Sequence, residues 1–194
     1  MTNEDEQKLI QFSIDGDLDA FNRLVEMYQD AVFSVTLRMV RNHATAEDVT
    51  QETFVSAFRS IRSYRGGNFR AWLLRIARNN TYDHLRKVKR RPEVSIDEDI
   101  VTFSETVESS ERGPEEWAIA EELKQAITDG LGELPPDQRM AVVLVDIEGY
   151  RYEEAAEVMG VSVGTVKSRL NRARTRLRDI LQARPELLPA SMRL

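Results

Sequence analysis

Gly160-Val161-Ser162 constrains its surroundings more than any other stretch of this chain. Before it, Tyr152 to Met159 reads as a short helix; after it, a long helix starts at Val163 and runs to about Leu181. Glycine supplies the positive φ that a tight connection between helices needs. Ala156 is small enough to let the two helices cross closely, and Ser162 is a good N-cap for the second one. Val166, Leu170, Ala173, Leu177 and Leu181 recur at helical spacing and form a buried stripe. Lys167, Arg169, Arg172, Arg174, Arg176 and Arg178 occupy the other faces. Two readings fit: a helix-turn-helix whose second helix enters a DNA major groove, or an amphipathic hairpin with a solvated basic face. A solvated face ordinarily mixes signs. Here no acidic residue occurs from Val163 until Asp179, which favours the first.

A DNA-binding reading sits awkwardly with a net charge of −6 until that charge is located. Residues 93–113 carry seven acidic side chains and one basic, so this segment alone holds the excess. The remaining 26 basic and 26 acidic residues cancel. The segment is rich in Glu, Asp, Ser and Thr and reads as a flexible acidic linker without a core of its own. Fully extended, its 21 residues span roughly 70 Å at 3.3–3.6 Å each, about two turns of B-DNA at 34–36 Å per turn. It divides the chain into a first domain over 1–92 and a second over 114–194.

Outside the linker the periodicity is helical throughout. Glu4 to Ser13 is a short helix broken by Asp15-Gly16-Asp17, and a long one follows from Leu18 to Val40. Thr45-Ala46-Glu47-Asp48 carries a capping-box pattern and predicts a third helix to about Ile61. Asn68 caps a fourth, which continues through Arg86-Lys87-Val88-Lys89-Arg90-Arg91 until Pro92 stops it. Beyond Pro114 a fifth helix is expected to about Asp129, with Trp117, Ala120, Leu123, Ile127 and later Leu131 inward. A sixth follows Leu134-Pro135-Pro136, its run Met140–Val145 too apolar for an exposed face. The fold class is all-α: two small helical domains, the second completed by the helix-turn-helix. The tail past Leu181, with Pro185 and Pro189, reads as a mobile end.

No run approaches the length of a transmembrane helix. The acidic start Met-Thr-Asn-Glu-Asp-Glu has no apolar core of a signal peptide. Cysteine is absent, which excludes disulfides, thiol catalysis and cysteine-based zinc sites. The expectation is a cytoplasmic protein without membrane insertion.

Two further clusters carry chemistry. Asp48, Gln51 and Glu52 are three and four residues apart and share one helix face. That face is either solvated or an acidic patch for a basic protein partner. The fourth helix combines Phe69, Trp72 and Tyr82 with Arg70, Arg75, Arg78, Asn79 and Asn80, a mixture suited to single-stranded nucleic acid: bases stack on rings and cations neutralise phosphates. Phe69 and Trp72 lie on the apolar stripe, so Tyr64 in the loop is the better candidate to meet bases.

Three motifs occur in order: Asp48-Val49-Thr50-Gln51-Glu52-Thr53-Phe54; Tyr64-Arg65-Gly66 with Phe69-Arg70-Ala71-Trp72-Leu73-Leu74-Arg75-Ile76-Ala77-Arg78-Asn79; and Gly164-Thr165-Val166-Lys167-Ser168-Arg169-Leu170. With this linker between them, the chain resembles a group-four, extracytoplasmic-function (ECF) sigma factor of bacterial RNA polymerase, over about residues 5 to 181. The resemblance implies a first domain that binds the clamp helices of the polymerase's largest subunit through Asp48, Gln51 and Glu52. That domain would melt the −10 element, with Tyr64, Arg65, Asn68, Arg75, Arg78, Asn79, Asp83, Arg86, Lys87 and Arg90 near the melted strand. It implies a second domain near the polymerase flap that reads the −35 element through Thr165, Lys167, Ser168, Arg169, Asn171, Arg172 and Arg174. Asp83 departs from the pattern as an acid on a DNA-facing surface, and Asn171 stands where relatives often carry an aromatic or histidine. The linker would thread the polymerase's nucleic-acid channels, and an anti-sigma factor is an expected partner.

Two other classes are weighed against this. A DNA-binding response regulator needs an alternating β/α receiver domain, and residues 1–92 have helical periodicity instead. An enzyme needs a catalytic constellation; His43 and His84 are the only histidines, neither has partners at metal-ligand spacing, and no phosphate-binding glycine loop is present. No catalytic residue, metal or cofactor is expected.

Overall fold

A computed structural model of the chain describes residues 3–90 and 114–183. The acidic linker 93–113 and the tail from 184 lie outside the described residues, as do the side chains of Trp117 and Ala120. Among the described residues every regular element is helical, as the all-α expectation requires.

The first bundle comprises α1 (Asn3–Asp15), α2 (Leu18–Val40), α3 (His43–Ser60) and α4 (Phe69–Arg90), with a 3₁₀ turn over Ile61–Ser63. Asp17 caps α2 by accepting from the Ala20 N–H at 3.0 Å. That helix ends where Arg41 turns left-handed at φ 63° and donates its N–H to the Leu37 carbonyl. The cap of α3 is Asn42, whose side chain accepts from the Thr45 N–H at 2.8 Å. The helix therefore begins at His43, ahead of the expected Thr45 capping box. Asn68 caps α4 as expected, accepting from the Ala71 N–H at 3.0 Å. Leu24, Val32, Val35, Met39, Leu73 and Leu74 are fully buried at the centre, each contributing about 1.5–3 kcal/mol by leaving water.

The second bundle comprises α5 (Pro114–Glu133), α6 (Pro136–Val142), α7 (Tyr152–Met159) and α8 (Val163–Gln182). Helix α5 outruns its expected end because Gly130 is buried against α8: a Cβ there would lie 3.0 Å from the Leu177 side chain. Ile127, expected inward, is 37% exposed. Helix α6 widens into a π-turn over Val143–Ile147. This turn aims Asp146 at α8, where it pairs with Arg174, and Glu148 at the first bundle, where it pairs with Arg38 at 2.7 Å. Wide turns of this kind occur frequently at functional positions. Met140, Val143, Leu144, Met159, Val166 and Leu170 fill the core.

The two bundles are docked. One continuous buried apolar cluster includes side chains of both, α4 packs along α7, and α2 meets α6 and the π-turn. Arg139 of α6 is buried and donates to the carbonyl of Met39 at the end of α2 and to that of Gly132 in α5. Burial, reinforced by Arg41 nearby, pushes its guanidinium down to about 10, so it stays charged at neutral pH. Arg41 pairs with Asp129 at 2.8 Å, and the Arg70 guanidinium lies 4.6 Å from the centre of the Tyr150 ring. The seam is imperfectly satisfied: the Nε groups of Arg41, Arg78 and Arg139 and the Tyr150 hydroxyl are buried without a hydrogen-bond partner. Each such group costs about 1–3 kcal/mol.

Gly160 holds φ 63° at the turn between α7 and α8. Gly160→Ala is expected to destabilise the chain by roughly 1–2 kcal/mol, the cost of a left-handed Cβ, read as a lowered denaturant midpoint. An unchanged midpoint would contradict this account of the turn.

Candidate nucleic-acid interface

The helix-turn-helix has its expected bounds. Glu154 caps α7 by accepting from the Arg151 N–H at 2.9 Å. The chain reverses through Gly160 with the Val161 N–H bonded to the Ala156 carbonyl. The Ser162 hydroxyl accepts from the Thr165 N–H at 3.2 Å and opens α8. Val166, Leu170 and Ala173 face inward, which leaves Lys167, Ser168, Asn171 and Arg172 exposed.

Two arginines of the same helix are braced rather than free. Arg169 is half-buried and its Nε donates to Asp137 at 2.9 Å. Arg174 donates its Nε to Asp146 at 3.0 Å and its Nη2 to the other carboxylate oxygen, and this bonding raises its guanidinium above the ordinary value. Exposed pairs of this kind add little stability; their effect is to fix the direction of a planar donor. Lys167 is held 5.4 Å from the centre of the Tyr152 ring. The bracing partners Asp137, Asp146 and Tyr152 carry no sequence signal of their own, since each depends on α6, the π-turn or α7 folding against α8.

On α4, Arg75, Asn79 and Asp83 are exposed at four-residue intervals, followed by exposed Arg86, Lys87 and Arg90. Asp83 pairs with Arg86 at 2.5 Å, so the unexpected acid on this surface is neutralised locally. Arg78 is half-buried, 5.1 Å from the Tyr82 ring centre, against the Gly160 turn of the other bundle. His84 is partly buried, and burial, with Lys87 beside it, holds it below its ordinary range.

The loop before α4 departs from the sequence reading. Tyr64 is 7% exposed, its ring edge-on to Phe69 and Trp72 at 5.4 and 5.5 Å. It is no stacking platform here; burial raises its hydroxyl, which donates to the Gly67 carbonyl at 2.7 Å. Tyr64 thus shapes the loop that presents Arg65, Gly66, Gly67 and Asn68 to solvent. Gly66 and Gly67 take φ 89° and 98°, a path closed to most residues.

Asp48, Gln51 and Glu52 are all exposed on α3. Beside them runs a groove between α2 and α3, lined by Leu18, Phe21, Phe54, Val55 and Phe58. Leu18 is 57%, Val55 43% and Phe58 38% exposed. Helical periodicity gave no hint of this groove, which exists only once the two helices pack. Among the described residues no cluster of His, Asp and Glu could hold a metal ion, and no helix is long and apolar enough to cross a membrane.

Known proteins share this arrangement. The family model of Sigma-70 region 2 matches residues 24–91, and that of Sigma-70 region 4 matches residues 124–177. The ECF RNA polymerase sigma-E factor of Haemophilus influenzae is 38% identical over 186 residues, covering 91% of this chain and 95% of that one. The ECF RNA polymerase sigma factor SigE of Mycolicibacterium smegmatis is 38% identical over 173 residues; the match covers 88% of this chain and 66% of that protein. Among solved structures, the sigma factor RpoE in complex with the anti-sigma factor NepR from Bartonella quintana superposes with a TM-score of 0.64 at 29% identity, over 85% of this chain and 98% of that one. With both Sigma-70 regions matched in this chain and 95% of the Haemophilus influenzae relative covered at 38% identity, the chain belongs to the ECF sigma factors of RNA polymerase, non-enzymatic subunits that direct transcription initiation.

Proposed function

We propose that this sigma factor grips its promoter at two points and the polymerase at a third, each on a separate helix. The first domain, 1–92, docks on the clamp helices of the largest polymerase subunit through Asp48, Gln51 and Glu52. The exposed face of α4, with Arg75, Asn79, Arg86, Lys87 and Arg90, holds the melted −10 strand. The Tyr64-shaped loop, through Arg65 and Asn68, takes an extruded base. The second domain, 114–194, inserts α8 into the major groove of the −35 element near the polymerase flap. Lys167, Ser168, Asn171 and Arg172 read base edges or adjacent phosphates, while Arg169 and Arg174 contact the backbone.

The observation that carries the reading is the segregation of exposed side chains. The acidic and amide residues are on α3 and the basic rows on α4 and α8, each set exposed on its own helix. A basic protein partner and nucleic acid can therefore be engaged together without competing for the same charges. The groove beside Asp48–Glu52 fits an amphipathic helix, and the likeness to a sigma factor solved with its anti-sigma factor supports an inhibitor that covers it. The site of action is the cytoplasm, where polymerase and promoter are.

Asp48→Lys combined with Glu52→Lys is expected to weaken pull-down of core polymerase at least about tenfold, the scale of a few lost charge contacts, with the melting temperature unchanged. Undiminished pull-down would remove α3 from the polymerase interface. Arg172→Ala is expected to lower promoter discrimination at one −35 position by about 1–3 kcal/mol, measured by competition between promoter variants. Equal loss on all sequences would make Arg172 a phosphate contact instead.

A further inference from the structure

Four side chains join the π-turn, α7 and α8 along one flank of the recognition helix. Asp146, in the π-turn, accepts from the Nε of Arg174 at 3.0 Å and from its Nη2. The same guanidinium donates to the hydroxyl of Tyr152, the first residue of α7. The Lys167 ammonium lies over the Tyr152 ring, 5.4 Å from its centre, inside the range of a cation–π contact. Lys167 and Arg174 are seven residues apart, two turns of helix, and so share this flank. Tyr152 stands between them, half-buried against the core.

Stability does not account for the arrangement. The arginine side chain of the Asp146–Arg174 pair is 54% exposed and the aspartate 29%, and pairs this open to water stabilise little. Asp146 belongs to the widened turn over Val143–Ile147, a departure from α-helical bonding that occurs frequently at functional positions. Position along α8 points the same way. Lys167 is its fifth residue, in the N-terminal part that meets base edges in a helix-turn-helix. Arg174 is about 10 Å further along at 1.5 Å per residue. The held ammonium is at the reading end and its brace is behind it. A free lysine is a flexible point charge, suited to phosphates, which carry no sequence information. One confined over a ring presents its donors in a set direction.

We propose that Tyr152 and Asp146 are positioning residues for recognition of the −35 element. Asp146 fixes Arg174, Arg174 fixes the Tyr152 hydroxyl, and the Tyr152 ring holds Lys167 where its donors meet base-edge acceptors in the major groove. The ring contributes direction rather than affinity: part of the lysine's rotamer freedom is given up before DNA arrives, and an exposed cation–π contact is weak enough for a base to draw the ammonium away. The inference rests on the reading of α8 as the −35 helix.

Holoenzyme reconstituted with each variant tests this, by competition among promoters that carry every base pair in turn at each −35 position. Lys167→Ala should flatten the preference at one position. Tyr152→Leu should lower the preference at that same position about 2–5-fold, the size of an exposed cation–π contact, and leave the other positions unchanged. Tyr152→Phe keeps the ring and should keep most of the preference. Asp146→Ala should act on the same position about twofold, the scale of an exposed ion pair. On a Lys167→Ala background neither Tyr152→Leu nor Asp146→Ala should have a further effect. Preference is a ratio between sequences, so a smaller folded fraction does not change it. A Tyr152→Leu variant that keeps wild-type preference, loses it equally at every position, or adds in full to Lys167→Ala would overturn the proposal and leave Tyr152 a packing residue. If Lys167→Ala itself leaves every position unchanged, the assignment of Lys167 to the −35 element fails, and the positioning role fails with it.

Discussion

One buried guanidinium determines how the two halves of this molecule meet. Arg139 sits where α2 ends and α5 gives way to α6, donating to carbonyls of Met39 and Gly132. The last carbonyls of a helix have no partner within it and carry the negative end of its dipole. A cation placed there satisfies acceptors that would otherwise be buried and empty. Burial costs the charge part of its solvation, seen in the fall of the guanidinium to about 10. Because that value is still well above neutral pH, the charge persists and the bonds persist with it. Around this point the Arg38–Glu148 and Arg41–Asp129 pairs tie α2 and its end to the residue after the π-turn and to α5.

How far the sequence could be read depended on the range of the forces involved. Helix α2 and the turn and start of α8 were legible closely, because Asp17, Gly160 and Ser162 act on their immediate neighbours. Asn68 was legible for the same reason. Asn42 competed with the Thr45 pattern three residues later, and the left-handed turn at Arg41 decided in its favour. The length of α5 was not legible: Gly130 and Gly132 look like helix ends until α8 and Arg41 are packed against them. Nor was the π-turn, whose wider backbone serves contacts on two other elements. Tyr64 was assigned to solvent because it lies in a loop, but Phe69 and Trp72 bury it.

The candidate sites divide along the same line. Residue type and one-sided charge pointed to α3, α4 and α8, and those helices expose most of the expected side chains, with Arg78, Thr165 and Arg169 half-buried. What could not be read was which of them are held by others. Asp137 and Asp146 brace two arginines of α8, Arg86 neutralises Asp83, and the second bundle covers Arg78. The Asp83–Arg86 pair is local to α4, the bracing of α8 comes from packing within the second bundle, and the cover over Arg78 comes from docking of the two bundles.

The most direct test of that account is transcription in vitro by holoenzyme reconstituted from core polymerase and this chain. A cognate promoter selected from a genomic library would be compared with the same promoter carrying five extra base pairs between its two elements, about half a helical turn. A two-point grip predicts that the chain alone determines initiation at the selected promoter and that the insertion abolishes it, because polymerase holds the two domains at a fixed separation and phase. Initiation that tolerates the insertion, or that proceeds equally without the chain, would contradict it.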